Sequence, residues 1–349
     1  MAKRFSDSVL SLEKKFNRTG EIRMKFAGKF LLSSWILAMP ILGLIPMAHA
    51  QDAYPNKFIR WVLPFSAGSG QDILARQISP KLGERFGQPM VVDNKAGAGG
   101  VIGLEYMVKA APDGYQIMMG NNSMLILSAI RPTPYDPIKD FAPIMQLGTG
   151  SSMIMIHGAV PANTLAEFIA YSKANPGKLN YSSPAIGTFG HLATELFKIQ
   201  TGANMVHIPH KGIVAALNGL IAGDVQFMQG VAEVALPHVR SGKLKALASA
   251  GQKRAPLYPD VANMGELGHK DFNPVLWYGL FAPAGTRAEI ISRFSSEITR
   301  ILNEPAMRED LLKRGIEAVT TSGEQLGAHM KSEMLTWQNV IKVGGIKPE

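Results

Sequence analysis

The stretch Trp61-Val62-Leu63-Pro64-Phe65-Ser66-Ala67-Gly68-Ser69-Gly70-Gln71-Asp72 constrains the fold more than any other part of the chain. Its apolar start reads as a buried strand and its small residues as a tight loop, and Asp72 falls in the first turn of a helix. A strand that feeds a helix through so short a loop points to α/β architecture. The first amides of a helix have no intrahelical acceptor, and the helix dipole places partial positive charge there. Loop side chains as small as Ser, Ala and Gly let a ligand approach those amides, which makes an anion site without a cationic side chain. Taken alone, the same residues describe an ordinary strand-to-helix turn.

The pattern recurs along the chain. Ile73, Leu74, Ile78, Leu82 and Phe86 carry helical spacing that ends at Gly87. A short strand over Pro89–Asp93 leads into a second glycine-rich turn, Asn94 to Gly100, and a helix to about Ala110. Gln116–Gly120 is a third strand with the polar tip Asn121-Asn122-Ser123. This order predicts a parallel sheet covered by helices on both faces. Phe141 to His157 reads as two extended segments broken at Gly148-Thr149-Gly150, a crossing into a second domain. A second set of strands and helices follows from Thr164 to Ala250, and Val275–Ala282 is an extended return segment. Thr164-x-x-Glu167, Thr286-x-x-Glu289 and Ser322-x-x-Gln325 have the spacing of capping boxes.

Residues Leu31–Met47 form an apolar run broken by Pro40 and Pro46, preceded by Lys25 and Lys29 and closed by Ala48-His49-Ala50. This is the pattern of a cleavable secretory signal peptide over 1–50, with Met24 as the expected translation start. A membrane span would need roughly 20 clean apolar residues. Residues 1–50 hold eight basic and three acidic side chains, so the remainder carries 28 basic against 24 acidic and a net charge of about +4, not the +9 of the whole 349-residue chain. No Lys/Arg block suits a nucleic-acid groove. The absence of cysteine removes disulfides, thiolate metal sites and cysteine nucleophiles.

Motifs for a cofactor or for catalysis are wanting. Gly97-Ala98-Gly99-Gly100-Val101-Ile102-Gly103 misses the dinucleotide-binding spacing because Ile102 stands where the third glycine belongs. His207 and His210 lie close in sequence without further metal ligands nearby, and read as strand-end histidines at the mouth of a cleft. No nucleophile elbow or zinc-protease segment is present, which weighs against an exported hydrolase or transferase using the same cleft. No cofactor is expected. The sharper observation is a pairing. Phe65–Asp72 and Ser182–His191 are both strand end, small-residue loop and helix start, and two such units facing one cleft would hold a carboxylate between backbone amides. Ser66, Ser69, Ser123, Ser183 and Thr188 would add hydroxyls.

Several segments resemble one family. They are Tyr54-Pro55 with Ile59-Arg60; Pro64-Phe65 with Gly68, Gly70 and Asp72; Asn94 to Gly100; Ala110 to Tyr115; and Tyr135-Asp136-Pro137 with Asp140 to Pro143. Asn175 to Tyr181, Gly187-Thr188 with His191, Lys211-Gly212, Gly242-Lys243-Leu244, Trp277 to Leu280 and Ala282 to Thr286 continue the match. Together they resemble the tripartite tricarboxylate transporter receptors, also called Bug-type extracytoplasmic solute receptors. The resemblance implies an α/β fold of the periplasmic binding protein type II kind, with two α/β domains around a ligand cleft. Domain 1 would comprise 51–150 and 275–349, and domain 2 would comprise 151–274. It implies a monomeric periplasmic receptor, not an enzyme, that binds a di- or tricarboxylate or an aromatic acid and passes it to membrane transporter subunits, or to a sensor kinase ectodomain. By position it assigns ligand contact to Phe65, Ser66, Ala67, Gly68, Ser69, Gly70 and Asp72, to Ser123, to Ser183, Gly187, Thr188, Phe189 and His191, and to His210, Lys211 and Gln229. Asp72 reads better as a support for the loop than as a base. Two residues depart from the family pattern. Gln229 stands where many relatives are acidic, which leans away from amino-acid ligands, and His210 stands where they carry Tyr, which adds a titratable imidazole to the cleft wall.

Overall fold

The computed structural model describes residues 54–347. The expected signal peptide over 1–50 and the start at Met24 lie outside them. Among the described residues no helix is long and apolar enough to cross a membrane.

The first strand, β1 (Ile59–Leu63), is almost wholly buried and runs through the loop at 64–69 into α1 (Gly70–Phe86). Ser69 caps that helix by accepting from the Asp72 amide at 3.4 Å, and Gly87 ends it in the left-handed region, φ 68°, where a Cβ would be strained. There follow β2 (Met90–Asn94), a single 3-10 turn at Ala98–Gly100, α2 (Val101–Val108), β3 (Gln116–Asn121) and α3 (Ser123–Ile130). After β4 (Phe141–Gly150) the chain leaves this sheet through Ser151 alone and enters β5 (Ser152–His157). The middle of the chain supplies α4 (Leu165–Ala174), β6 (Asn180–Ser183), α5 (Phe189–Thr201), β7 (Val206–Pro209), α6 (Ile213–Ala222), β8 (Phe227–Val231), α7 (Ala232–Arg240) and β9 (Leu244–Ser249). It returns as β10 (Leu276–Pro283), then α8 (Ala288–Leu302), α9 (Pro305–Lys313), β11 (Ile316–Ser322) and the long α10 (Gly323–Gly344).

Two sheets result. The first has the order β11-β4-β10-β3-β1-β2 and the second β7-β6-β8-β5-β9. The expected parallel pairing holds for β2-β1-β3 and for β7-β6-β8. Each sheet also takes antiparallel strands: β10 and β11 in the first, β5 in the second. Both faces of the second sheet are covered. Along β5, Ile154 and Ile156 point into a core with Phe168, Tyr181, Phe197 and Phe227, while Met153 and Met155 point into one with Leu217, Leu220 and Met228. The first sheet buries Val62, Met118, Trp277 and Phe281 against Leu104, Leu326 and Met330.

Three local expectations need correction. Helix α3, Ser-Met-Leu-Ile-Leu-Ser-Ala-Ile, continues directly from the strand tip, and strand β11 lies between the last two helices; neither is expected from the sequence. The Thr286 box does not cap. The N-cap of α8 is Arg287, and the Thr286 hydroxyl donates to Pro283 O at 2.8 Å, held by the turn that precedes the helix. The Ser322 box is complete in both directions and the Thr164 side chain caps α4.

Candidate functional site

The carboxyl ends of the parallel strands in both sheets open on one cavity of about 570 Å³. The N-terminal ends of α1, α3, α5 and α6 reach its wall through Gly70, Ser123, Phe189 and Ile213. The first two residues of a helix have no intrahelical acceptor for their amides. Gly70 and Gln71 of α1 and Gly190 of α5 therefore bring backbone donors to the same space. Among the described residues the wall holds one charged side chain, Lys211, and no carboxylate.

The structure brings many of the anticipated residues together here. Phe65, Ser66, Ser69 and Gly70 come from the first loop and Ser123 from the strand tip. Thr188, Phe189, His210, Lys211 and Gln229 come from the second sheet's loops. Others are not in the wall. Ala67 and Gly68 are exposed at the loop tip. Asp72 lies behind the loop, where its carboxylate accepts from the Gly68 amide at 3.1 Å and from Arg76 Nε at 3.0 Å. Burial opposes its charge, but those hydrogen bonds win and hold its pKa below the ordinary aspartate value. Ser183 and His191 lie behind the second loop, and Gly187 within that loop is not in the wall. The Ser183 hydroxyl is shared between Ala185 O at 3.0 Å and His207 Nε2 at 2.7 Å, and the Gly187 amide donates to His191 Nδ1 at 3.2 Å. Thr188 lines the wall, yet its hydroxyl proton is engaged by Ala185 O at 2.7 Å.

Beneath the second loop the aromatic rings form a stack. His191 and His207 lie 4.0 Å apart at 11°, and Tyr181 stacks on His207 at 4.7 Å. The Tyr181 hydroxyl donates to Glu195 at 2.5 Å. Burial lowers the pKa of His191 to about 4 and of His207 to about 3, with Lys198 adding to the effect on both. Both rings are therefore neutral near neutral pH. His207 is thus a half-buried support outside the cavity wall, not a group at the cleft mouth.

The strand tip is tied down from the far end of the chain. Glu333 of α10 accepts from Trp277 Nε1 at 2.6 Å and from Asn122 Nδ2, and Asn122 Oδ1 accepts from the Trp277 amide at 3.1 Å. Burial raises the Glu333 pKa. This fixes Ser123, whose hydroxyl oxygen accepts from the Phe189 amide at 3.2 Å and so joins the two sides of the cavity. Phe189 also packs edge-on against Trp337 of α10, ring centroids 6.3 Å apart.

Sequence reasoning missed part of the wall. The turn Gly97–Gly100, in the sequence a glycine-rich connection that misses the dinucleotide spacing, forms one side of the cavity, and Asn94 before it donates to Phe65 O at 3.1 Å. Gln71, Leu276 and Tyr278 also line the cavity. A glycine-rich turn at the end of a parallel strand is a usable signal for a cavity wall, whereas Gln71 carries none beyond its neighbours.

Comparison with known proteins gives a consistent picture. The family described as tripartite tricarboxylate transporter family receptor matches residues 74–346. Protein BugT of Bordetella pertussis is 34% identical over 303 residues, covering 85% of this chain and 92% of that protein. Among solved structures, an adipate-bound protein of R. palustris has a TM-score of 0.81 at 30% identity, covering 85% of this chain and 100% of that one. MatC from Rhodopseudomonas palustris with bound malate has a TM-score of 0.77 at 28% identity, covering 82% and 100% respectively.

Proposed function

Because the chain belongs to the tripartite tricarboxylate transporter receptor family, we propose that it captures a small carboxylate in this cavity and delivers it to the membrane subunits of such a transporter. The family is one of periplasmic solute receptors, and its fold is that of binding proteins, not of enzymes. The observation that carries the proposal is the convergence of helix N-termini from both sheets on a cavity with no carboxylate among the described residues of its wall. A ligand carboxylate placed between α1 and α5 would accept from the Gly70, Gln71 and Gly190 amides, with hydroxyl donors from Ser66 and Ser123. Phe65, Ile213 and Leu276 would cover its apolar body, and Lys211 would add charge at the rim. The solved relatives bound to adipate and malate support ligands of this size and charge. In this reading residues 1–50 direct export and are removed.

The test is thermal shift and calorimetry with succinate, malate, adipate, citrate and benzoate. At least one acid should raise the unfolding temperature and be recovered unchanged. Failure of all of them to bind, or consumption of the bound acid, would overturn the proposal. A Gly70→Val variant should bind more weakly with little loss of fold, since the new side chain occupies the approach to the α1 amides. Unchanged affinity would remove this loop from the site.

A further inference from the structure

The two sides of the cavity touch along its rim. Ser123 Oγ accepts from the Phe189 amide, a Cβ on Gly212 would sit 3.3 Å from Ser66 Oγ, and one on Gly99 would sit 3.4 Å from Ile186 O. Wider opening of the cavity requires these contacts to part. One helix crosses the line of parting. Helix α10 follows β11 of the first sheet, yet it packs on α3 from that side and on α5 from the other.

Its two attachments differ in kind. Toward the first sheet the attachment is polar and multiple. The Glu333 carboxylate takes Trp277 Nε1 and Asn122 Nδ2, and Asn122 Nδ2 also donates to Val275 O at 3.0 Å. Asn122 is fully buried and the Glu333 side chain is 11% exposed. These bonds join α10 to the strand tip before Ser123 and to the start of β10, where the chain returns from the second sheet. Toward the second sheet the attachment is apolar. One turn beyond Glu333, Trp337 meets the Phe189 ring edge-on at 87°, and a Cβ on Gly344 would sit 3.5 Å from Ile199 Cδ1. Charge-assisted bonds are the stronger kind, whereas an edge-on ring pair adds a modest attraction. Parting therefore falls between α10 and α5, and α10 stays with the first sheet.

Both attachments bear on one hydrogen bond. Phe189 is the first residue of α5, so its amide has no intrahelical acceptor, and its bond to Ser123 Oγ crosses the cavity. Glu333 sets the Ser123 end through Asn122, and Trp337 sets the Phe189 end through the ring. We propose that Glu333 and Trp337 are positioning residues for closure, and that α10 is a clasp that holds the two sides of the cavity together through the Ser123–Phe189 bond and releases α5 when the cavity opens. The inference holds whichever ligand the cavity takes.

The experiment is hydrogen exchange on the unliganded protein, read at the Phe189 amide and at the amides of Trp61 and Met155 in the two sheets. Trp337→Ala should speed Phe189 exchange roughly two- to tenfold, the weight of an edge-on ring pair. Trp337→Phe, which keeps a ring, should do less. Glu333→Gln turns an amide nitrogen toward a donor and should speed Phe189 exchange at least as much as Trp337→Ala; it carries the test should that variant fail to fold. Since both residues act through one bond, the double variant should exceed the larger single effect only slightly. A purely structural loss behaves differently: it speeds Trp61 and Met155, which exchange on unfolding, and leaves Phe189, which exchanges by local opening, as it was. Phe168→Leu, in the core of the second sheet, should show that second pattern. An unchanged Phe189 rate in Glu333→Gln and the Trp337 variants, an equal rise in Phe168→Leu, or strictly additive effects in the double variant would each overturn the clasp.

Discussion

The two loops that face each other across the cavity share a plan and differ in what holds them. In the first, Ser66–Ser69 is braced by Asp72, an anion that takes the Gly68 amide and is itself paired with Arg76. In the second, Ala185–Thr188 is braced by His191, a neutral imidazole that takes the Gly187 amide and is stacked on His207. The first support is charged and reaches solvent through Arg76, whose side chain is 53% exposed. The second is apolar stacking within a buried layer. The difference teaches that one backbone geometry, a helix start presented to a cavity, can be held by unlike chemistry, and that each support fails under its own conditions.

Acid should separate them most widely. An imidazole held neutral in the fold is protonated in the unfolded chain below its ordinary pKa of 6.5. The unfolded state then binds more protons, so stability falls as pH falls. The loss should run from pH 6.5 down to about 4 for His191 and about 3 for His207, at up to roughly 1.4 kcal/mol per pH unit for each ring. Asp72, with its pKa held low, supports the fold above its unfolded value of 3.8 and loses that support only as pH falls through the still lower folded value. The window from 6.5 to 4 therefore belongs to the second loop. Thermal melts across that range should flatten in a His191→Phe/His207→Phe double variant. An undiminished slope in that variant would assign the acid sensitivity elsewhere.

A glycine in each loop sharpens the contrast. Gly68 and Gly187 have nearly equal φ, 78° and 75°. A Cβ on Gly68 meets nothing within 4 Å, whereas one on Gly187 sits 2.7 Å from Leu127 Cδ2 on α3. Gly68→Ala should cost roughly 1–2 kcal/mol of left-handed strain. Gly187→Ala should add an overpacking penalty of about 1–3 kcal/mol, since Leu127 is a buried core residue. Equal drops in melting temperature would mean that this contact yields freely. Asp72→Asn should follow at about 2 kcal/mol, because charge-assisted bonds to Gly68 and Arg76 are lost from a buried position. Arg76→Ala should be smallest, within roughly 0.5 kcal/mol in urea denaturation, because its head group is exposed. A larger effect would place it in the loop's framework.

This contrast also sets what the sequence could disclose. Ser69 and Asp72 are legible because cap, amide and carboxylate lie within one helical turn. His191 is visible as a residue near a helix start, but its stacking partners His207 and Tyr181 arrive from neighbouring strands, and only sheet order reveals them. Helix α3 escapes because an element buried on all sides shows no polar face from which to read a period. Strand β11 escapes because its identity depends on pairing with β4 at the sheet edge. The parallel strand units, the complete Ser322 box and the Thr164 cap are local patterns, and the structure has them. Gln71 sits beside a recognised motif, yet its place in the wall is a property of the fold.

Three of the donors that converge on the cavity, the Gly70, Gln71 and Gly190 amides, are backbone groups, and this bears on how such a scaffold changes its cargo. A backbone amide persists through almost any substitution that preserves the turn. A grip on an acid group of the kind proposed for this cavity would therefore be insulated from mutation, while the side chains around it would be free to drift. Changing Phe65, Ile213 or Leu276 would alter what hangs from the acid without dismantling the means of holding it. A chain built this way can acquire a new diet one wall residue at a time, never passing through an ancestor that cannot bind.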